Sequence, residues 1–135
     1  MKQGIYTIKS NRPLTADVFE MRLAGDTSAI TAPGQFVNIK LEGLFLRRPI
    51  SVCDWDEKTL TIIYKVVGKG TAQMKTLVAG EKLDILTGLG NGYDLTKSGD
   101  EPMLIGGGLL AFSLAVLIFD SQKEKDKRFF NFVHR

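Results

Sequence analysis

The chain has 135 residues, enough for one domain with a core of its own but not comfortably for two. At 44% hydrophobic and 24% charged residues it reads as a soluble globular protein rather than a disordered one. The net charge of +3 belongs to residues 121–135, where Lys123, Lys125, Lys127, Arg128 and Arg135 outweigh Glu124 and Asp126. Residues 1–120 balance, so the folded body lacks the basic face of a nucleic-acid binder and nucleic acid is set aside.

The first hundred residues read as β-rich. Ile5–Ile8 has strand composition, and no apolar signal segment precedes it; the lone cysteine, Cys53, suits a reducing, cytoplasmic setting. Val18–Leu23 and Phe36–Leu41 alternate apolar and polar as half-buried strands do. Ile50–Val52 is short and apolar. Leu60–Val67 is rich in β-branched residues and gives the clearest strand, and Lys82–Leu86 gives another. Turn residues separate these runs at Ala24–Asp26, Pro33-Gly34, Glu42-Gly43, Asp54–Lys58 and Gly80-Glu81. Thr71–Leu77 has helix-forming composition, with Gly70-Thr71 as its start. The expected fold is mainly β: a six-stranded antiparallel Greek-key barrel over residues 1–100 with one short helix.

From Glu101 the texture changes. Met103-Leu104-Ile105 reads as a strand, Gly106-Gly107-Gly108 as a turn, and the apolar stretch to Phe119 as the first part of a helix. Residues 101–135 would be the truncated or atypical start of an α/β nucleotide-binding unit. The uncharged run Met103–Phe119 sits at the short limit for a membrane span, and its three glycines weigh against spanning. An apolar helix there without its sheet would offer an oligomer interface.

Cys53 and His134 are the only cysteine and histidine. A Cys-ligated iron–sulfur cluster or four-ligand zinc site therefore cannot be built from this chain alone. Gly106–Ala111 fits the G-x-G-x-x-A dinucleotide pattern, but its expected acidic partner would fall near Asp126, in the charged tail. Gly68-Lys69-Gly70-Thr71 is no phosphate loop of the Walker type, because Gly70 stands where Ser or Thr is required and Ile63 where the first Gly is. A Gly-Thr at a helix start still presents backbone N–H groups that suit a phosphate. In Arg48-Pro49-Ile50-Ser51, Arg48 carries a planar fork suited to phosphate and Ser51 a hydroxyl that donates or accepts. Composition alone would favour two solvated arginines beside a turn.

Arg48-Pro49-Ile50-Ser51 resembles the flavin-binding Arg-x-Tyr/Ile-Ser/Thr signature of the ferredoxin-reductase superfamily. Pro33–Val37 looks like the strand entry of those barrels, Tyr64–Thr71 like the segment under the flavin pyrophosphate, and Leu86–Gly92 like the loop to the nucleotide domain. Within the superfamily, Arg-Arg-Pro-Ile-Ser followed by Gly-Lys-Gly-Thr is most similar to the electron-transfer subunits of class B dihydroorotate dehydrogenases. The resemblance implies FAD. It gives Arg48 the pyrophosphate, Ser51 the reactive edge of the isoalloxazine, and Pro49 and Ile50 the ring wall. Ile63, Tyr64 and Lys65 would contact the ribityl or adenine side, and Gly70 and Thr71 the pyrophosphate. It further implies a catalytic dihydroorotate dehydrogenase-like flavoprotein partner and a place in pyrimidine biosynthesis. The sequence departs from the family after Gly108, where Leu109–Ser113 replaces the usual Gly-x-Pro-Pro-like continuation. The resemblance therefore does not carry NAD binding or the family's cluster onto this chain. A flavin-free interaction module and a different component of the superfamily are the other readings.

Overall fold

The computed structural model describes residues 1–92 and, as backbone, the strands at residues 103–106 and 131–134. Six strands, β1 (Lys2–Pro13), β2 (Val18–Ala24), β3 (Phe36–Lys40), β4 (Arg48–Trp55), β5 (Thr59–Lys65) and β6 (Lys82–Leu89), surround one core. A single helix, α1 (Lys69–Lys75), lies between β5 and β6. The strands close into an antiparallel barrel in the order β1-β2-β5-β4-β3-β6, with β6 returning to β1. Closure leaves the sheet no free edge.

Alternation puts the core inside. In β2, Phe19, Met21 and Leu23 point inward, and their neighbours on β5, Leu60, Ile62 and Tyr64, do the same. Val37 and Ile39 of β3, and Leu83 and Ile85 of β6, complete the ring. The helix lies against this ring through Met74, which is fully buried in the core cluster.

β1 runs over 12 residues, where composition marked only Ile5–Ile8. Its first half pairs with β6 and its second half with β2, with a register shift between Ile8 and Ser10. A bulge of this kind bends a strand so that it can serve two neighbours. The helix also begins two residues earlier than expected. Gly68 stands in extended conformation at its N-cap, so Gly70 and Thr71 fall inside the first turn.

Beyond the barrel, β7 (Met103–Gly106) pairs in parallel with β8 (Asn131–His134). β7 lies where the sequence suggested a strand, and β8 was not foreseen. The expected helix and oligomer interface up to Phe119 lie outside the described residues, apart from the part of that run in β7. Among the described residues no helix is long and apolar enough to cross a membrane.

Candidate flavin site at the start of strand β4

The arginine pair divides its labour. Arg47 turns to the flank of the barrel, where its guanidinium meets the Asp84 carboxylate at 3.2 Å with both side chains about three-quarters buried. Arg48 goes the other way. Its Cα partner is the inward-facing Ile39, so its side chain sets out towards the helix-capped end of the barrel. There it lies directly across Gly70: a Cβ on that glycine would fall 2.2 Å from Arg48 Nε. Its Nη1 donates to the Leu46 carbonyl at 2.7 Å. Two motif segments distant in sequence, Arg48 and Gly70, are thus adjacent in space.

The loop before α1 is held from within. Thr71 Oγ1 accepts the backbone N–H groups of Val67 at 2.9 Å and Gly68 at 3.2 Å, so this buried hydroxyl folds the chain into the helix. The backbone N–H groups of Lys69, Gly70 and Thr71 stand in the first turn, where an α-helix offers them no carbonyl. Gln73 Nε2 donates to the Glu42 carbonyl at 2.9 Å, which ties the helix to the β3–β4 loop. At the other end of α1, Asn11 Nδ2 donates to the carbonyls of Met74 and Leu77.

The remaining expected residues fall into two groups. Pro49 and Ser51 are exposed on the outer face of β4, opposite Asn38 and Phe36 of β3. Ile63 shares the outer parity on β5 and is nearly covered, and Lys65 is exposed with its ammonium 3.7 Å from Asp17. Ile50 and Tyr64 face the other way. Ile50, the Cα partner of buried Val37, packs against the core. Tyr64 is fully buried, stacks on Phe19 with centroids 5.8 Å apart, and donates its hydroxyl to Asn11 Oδ1 at 2.8 Å. Burial raises its phenol to about 12. What Tyr64 presents outside the barrel is backbone. Period-two counting from Ile62 gives this orientation, which Thr61 and Lys65 on the other parity support and only Ile63 and Val67 blur.

Three residues outside the predicted cofactor-binding set complete the surroundings. Gln35, buried, accepts from the Thr31 N–H at 2.8 Å and donates to the Gly90 carbonyl at 3.1 Å. It stitches the Pro33–Phe36 turn to the glycine loop. Gly88 in that loop has φ +72, and a Cβ there would come within 2.8 Å of the Ala29 carbonyl oxygen. The loop's glycine therefore answers to packing within the barrel. Asn38, paired with Pro49, keeps a buried side-chain oxygen that has no hydrogen-bond partner among the described residues. Such an acceptor ordinarily finds a donor in protein, water or ligand.

Cys53, half-buried on β4, is held protonated. Burial first, then the nearby Asp54 and Glu20 charges, push its thiol up to about 11. No group of metal-ligating side chains occurs among the described residues. Two concavities among the described residues are lined by neither Arg48 nor Gly70. One of about 380 Å³ lies beside Gln73 and Leu77, and one of about 450 Å³ beside Trp55 and Thr27.

The closed barrel and its helix have the architecture of a ferredoxin-reductase-type domain. The NADH-dependent reduced ferredoxin-NADP oxidoreductase superposes with a TM-score of 0.82 and 27% identity, covering 97% of this chain and 48% of that one. A ferredoxin NADP+ reductase from Neisseria gonorrhoeae, solved with bound FAD and NADP, gives 0.82 at 15% identity, over 99% of this chain and 57% of that one. In sequence, the chain is a relative of the electron transfer subunit of dihydroorotate dehydrogenase B (NAD(+)). It is 42% identical over 115 residues to that subunit of Enterococcus faecalis (strain ATCC 700802 / V583), covering 80% of this chain. The chain spans about 44% of that relative's length. No protein-family profile matches it.

Proposed function

We propose that the chain is the FAD-binding part of an electron-transfer component that serves a catalytic dihydroorotate dehydrogenase-type flavoprotein in the cytoplasm. The observation that carries this reading is the Arg48 side chain laid across Gly70 at the start of α1. A guanidinium fork and first-turn backbone N–H groups converge there, and both favour a phosphate. The missing Cβ of Gly70 fits the same use, because any side chain would fill the space where the two approach.

FAD supplies the redox chemistry when bound, and the protein supplies position and electrostatics. Arg48 neutralises phosphate charge. Lys69, Gly70 and Thr71 offer N–H groups, with the Thr71 hydroxyl keeping the turn in shape. Ser51 offers a hydroxyl to the ring edge and Pro49 a rigid apolar wall beside it. Ile63 and Lys65 line the adjoining strand, Tyr64 contributes backbone, and Ile50 supports Arg48 from the core side. Residues 101–135 are read as the beginning of an α/β unit. In support, β7 and β8 pair in parallel, and residues 107–130 between them are long enough for a crossover connection.

The test is FAD affinity of the purified chain with and without Arg48. A charge-assisted contact contributes about 1.5–3 kcal/mol, so Arg48→Ala is expected to weaken binding by roughly 10- to 100-fold. Equal affinity in the two proteins would remove Arg48 from the site and the reading with it.

A further inference from the structure

Arg47 does more than occupy a surface. Its Nη1 donates to Asp84 Oδ1 and to the Asp84 carbonyl, both at 3.2 Å, and reaches the Asn38 carbonyl at 3.4 Å. Its Nη2 donates to the same Asp84 oxygen at 3.2 Å. Asp84 in turn accepts Gln3 Nε2 on both oxygens, at 3.1 and 2.9 Å. Since β1, β6 and β3 are adjacent in the barrel, the network crosses three strands and ends on Arg47, the residue before β4 begins. Asp84 sits on the outer face of β6 between the buried Leu83 and Ile85, so its own place is fixed by the core.

The consequence falls on the next residue. Arg48 has two recorded supports: the Leu46 carbonyl, one residue before Arg47, and the surface of Gly70. Both depend on where the chain from Leu46 to Arg48 runs. The loop before it is held at its near end by Leu44 against the core and by the Gln73 bond to Glu42, but Phe45 beyond them is almost wholly in solvent. From there the stretch is anchored by Arg47, together with the pairing of Arg48 with Ile39.

We infer that Arg47 is a positioning residue for the phosphate site: through Asp84 and the Asn38 carbonyl it fixes the strand start that holds Arg48 across Gly70. The inference rests on the reading of Arg48 as the phosphate ligand. Lysine at position 47 would not replace it, because one ammonium cannot span the Asp84 carboxylate and two carbonyls as the planar fork does.

The experiment is a double-mutant cycle on the full chain, with FAD affinity read by quenching of flavin fluorescence and apo-protein stability read by urea unfolding. Residues in one network couple, so Arg47→Ala is expected to weaken FAD binding about tenfold when Arg48 is present. In the Arg48→Ala background the same change should have almost no further effect on affinity. Asp84→Asn should reproduce the pattern, and Arg47→Lys should restore apo stability more fully than affinity. Should Arg47→Ala fail to fold, the Asp84→Asn and Arg47→Lys cycles decide the matter in the same way. An equal loss of affinity in both backgrounds, or no loss in either, overturns the inference. A wild-type chain that does not bind FAD, or an Arg48→Ala protein that binds it normally, overturns the functional reading as well, and so is told apart from failure of Arg47 alone.

Discussion

Replacing Gly70 by alanine separates the stability of the barrel from the quality of its phosphate site, because the two should move in opposite directions. A Cβ at position 70 would lie 2.2 Å from Arg48 Nε and 2.7 Å from its Cγ, far inside van der Waals contact. The arginine must therefore leave its place. Nothing comparable opposes the new methyl group from the backbone, since Gly70 lies in α1 and its nearest contacts are all atoms of Arg48. In a helix, alanine is favoured over glycine by up to about 1 kcal/mol, and less in the first turn. Apo stability should thus hold or rise slightly. FAD affinity should fall by roughly 10- to 100-fold, the equivalent of losing a charge-assisted phosphate contact of about 1.5–3 kcal/mol. Urea unfolding of the apo-protein and FAD titration of the same preparation read the two quantities. Unchanged FAD affinity with a folded barrel would refute the reasoning, since it would mean that Arg48 across Gly70 has no part in binding.

Tyr64→Phe should cost about 1 kcal/mol of stability by removing the donor to Asn11 Oδ1, with FAD affinity unaltered because that side chain faces the core; urea unfolding and FAD titration check both halves. Met74→Ala should cost about 2–5 kcal/mol, as a buried methionine leaves a cavity beneath α1, and a smaller loss in urea would show that the helix is not seated on the core. Cys53, raised to about 11 from an ordinary 9.0, should resist alkylation at pH 8 until the protein is unfolded, and rapid native labelling would contradict its placement. The sign for stability follows from the same shift and from that of Tyr64, raised to about 12 from 10.0. Both groups keep their protons more tightly when folded, so their contribution to stability is constant well below pH 9. It should fall as pH climbs from about 9 towards 12, seen as a declining urea midpoint.

Much of the barrel was legible because half-buried strands announce themselves. Val18–Leu23 and Phe36–Leu41 alternate from Phe19 and Val37 onward, and the structure turns Phe19, Met21, Leu23, Val37 and Ile39 inward while Val18 and Phe36 keep the outer parity. β1 was legible only in part. Its second half, Lys9-Ser10-Asn11-Arg12, carries polar residues that a propensity count rejects. It is a strand because β2 and the bulge after Ile8 impose it. The role of Asn11 in holding the end of α1 had no local signal, since its partners lie more than 60 residues away.

The site shows the same division. Motif order brought Arg48 and Gly70-Thr71 to attention, and the fold sets Arg48 against Gly70. The signature picked out Arg48, but the separate course of Arg47 was invisible in the sequence, where the two are identical neighbours. It arises from strand parity together with Asp84, which comes near only when β6 has paired with β3. The helix start was misjudged by two residues because Gly68 looks like turn material. In the fold its extended backbone and the Thr71 hydroxyl together make it the N-cap.

The absorbance spectrum of the purified chain after addition of FAD and removal of the excess by gel filtration tests the central claim most directly. A flavin seat built on Arg48 and Gly70 predicts a yellow protein that retains one FAD per chain and loses it in Arg48→Ala. A folded protein that emerges colourless would contradict the account.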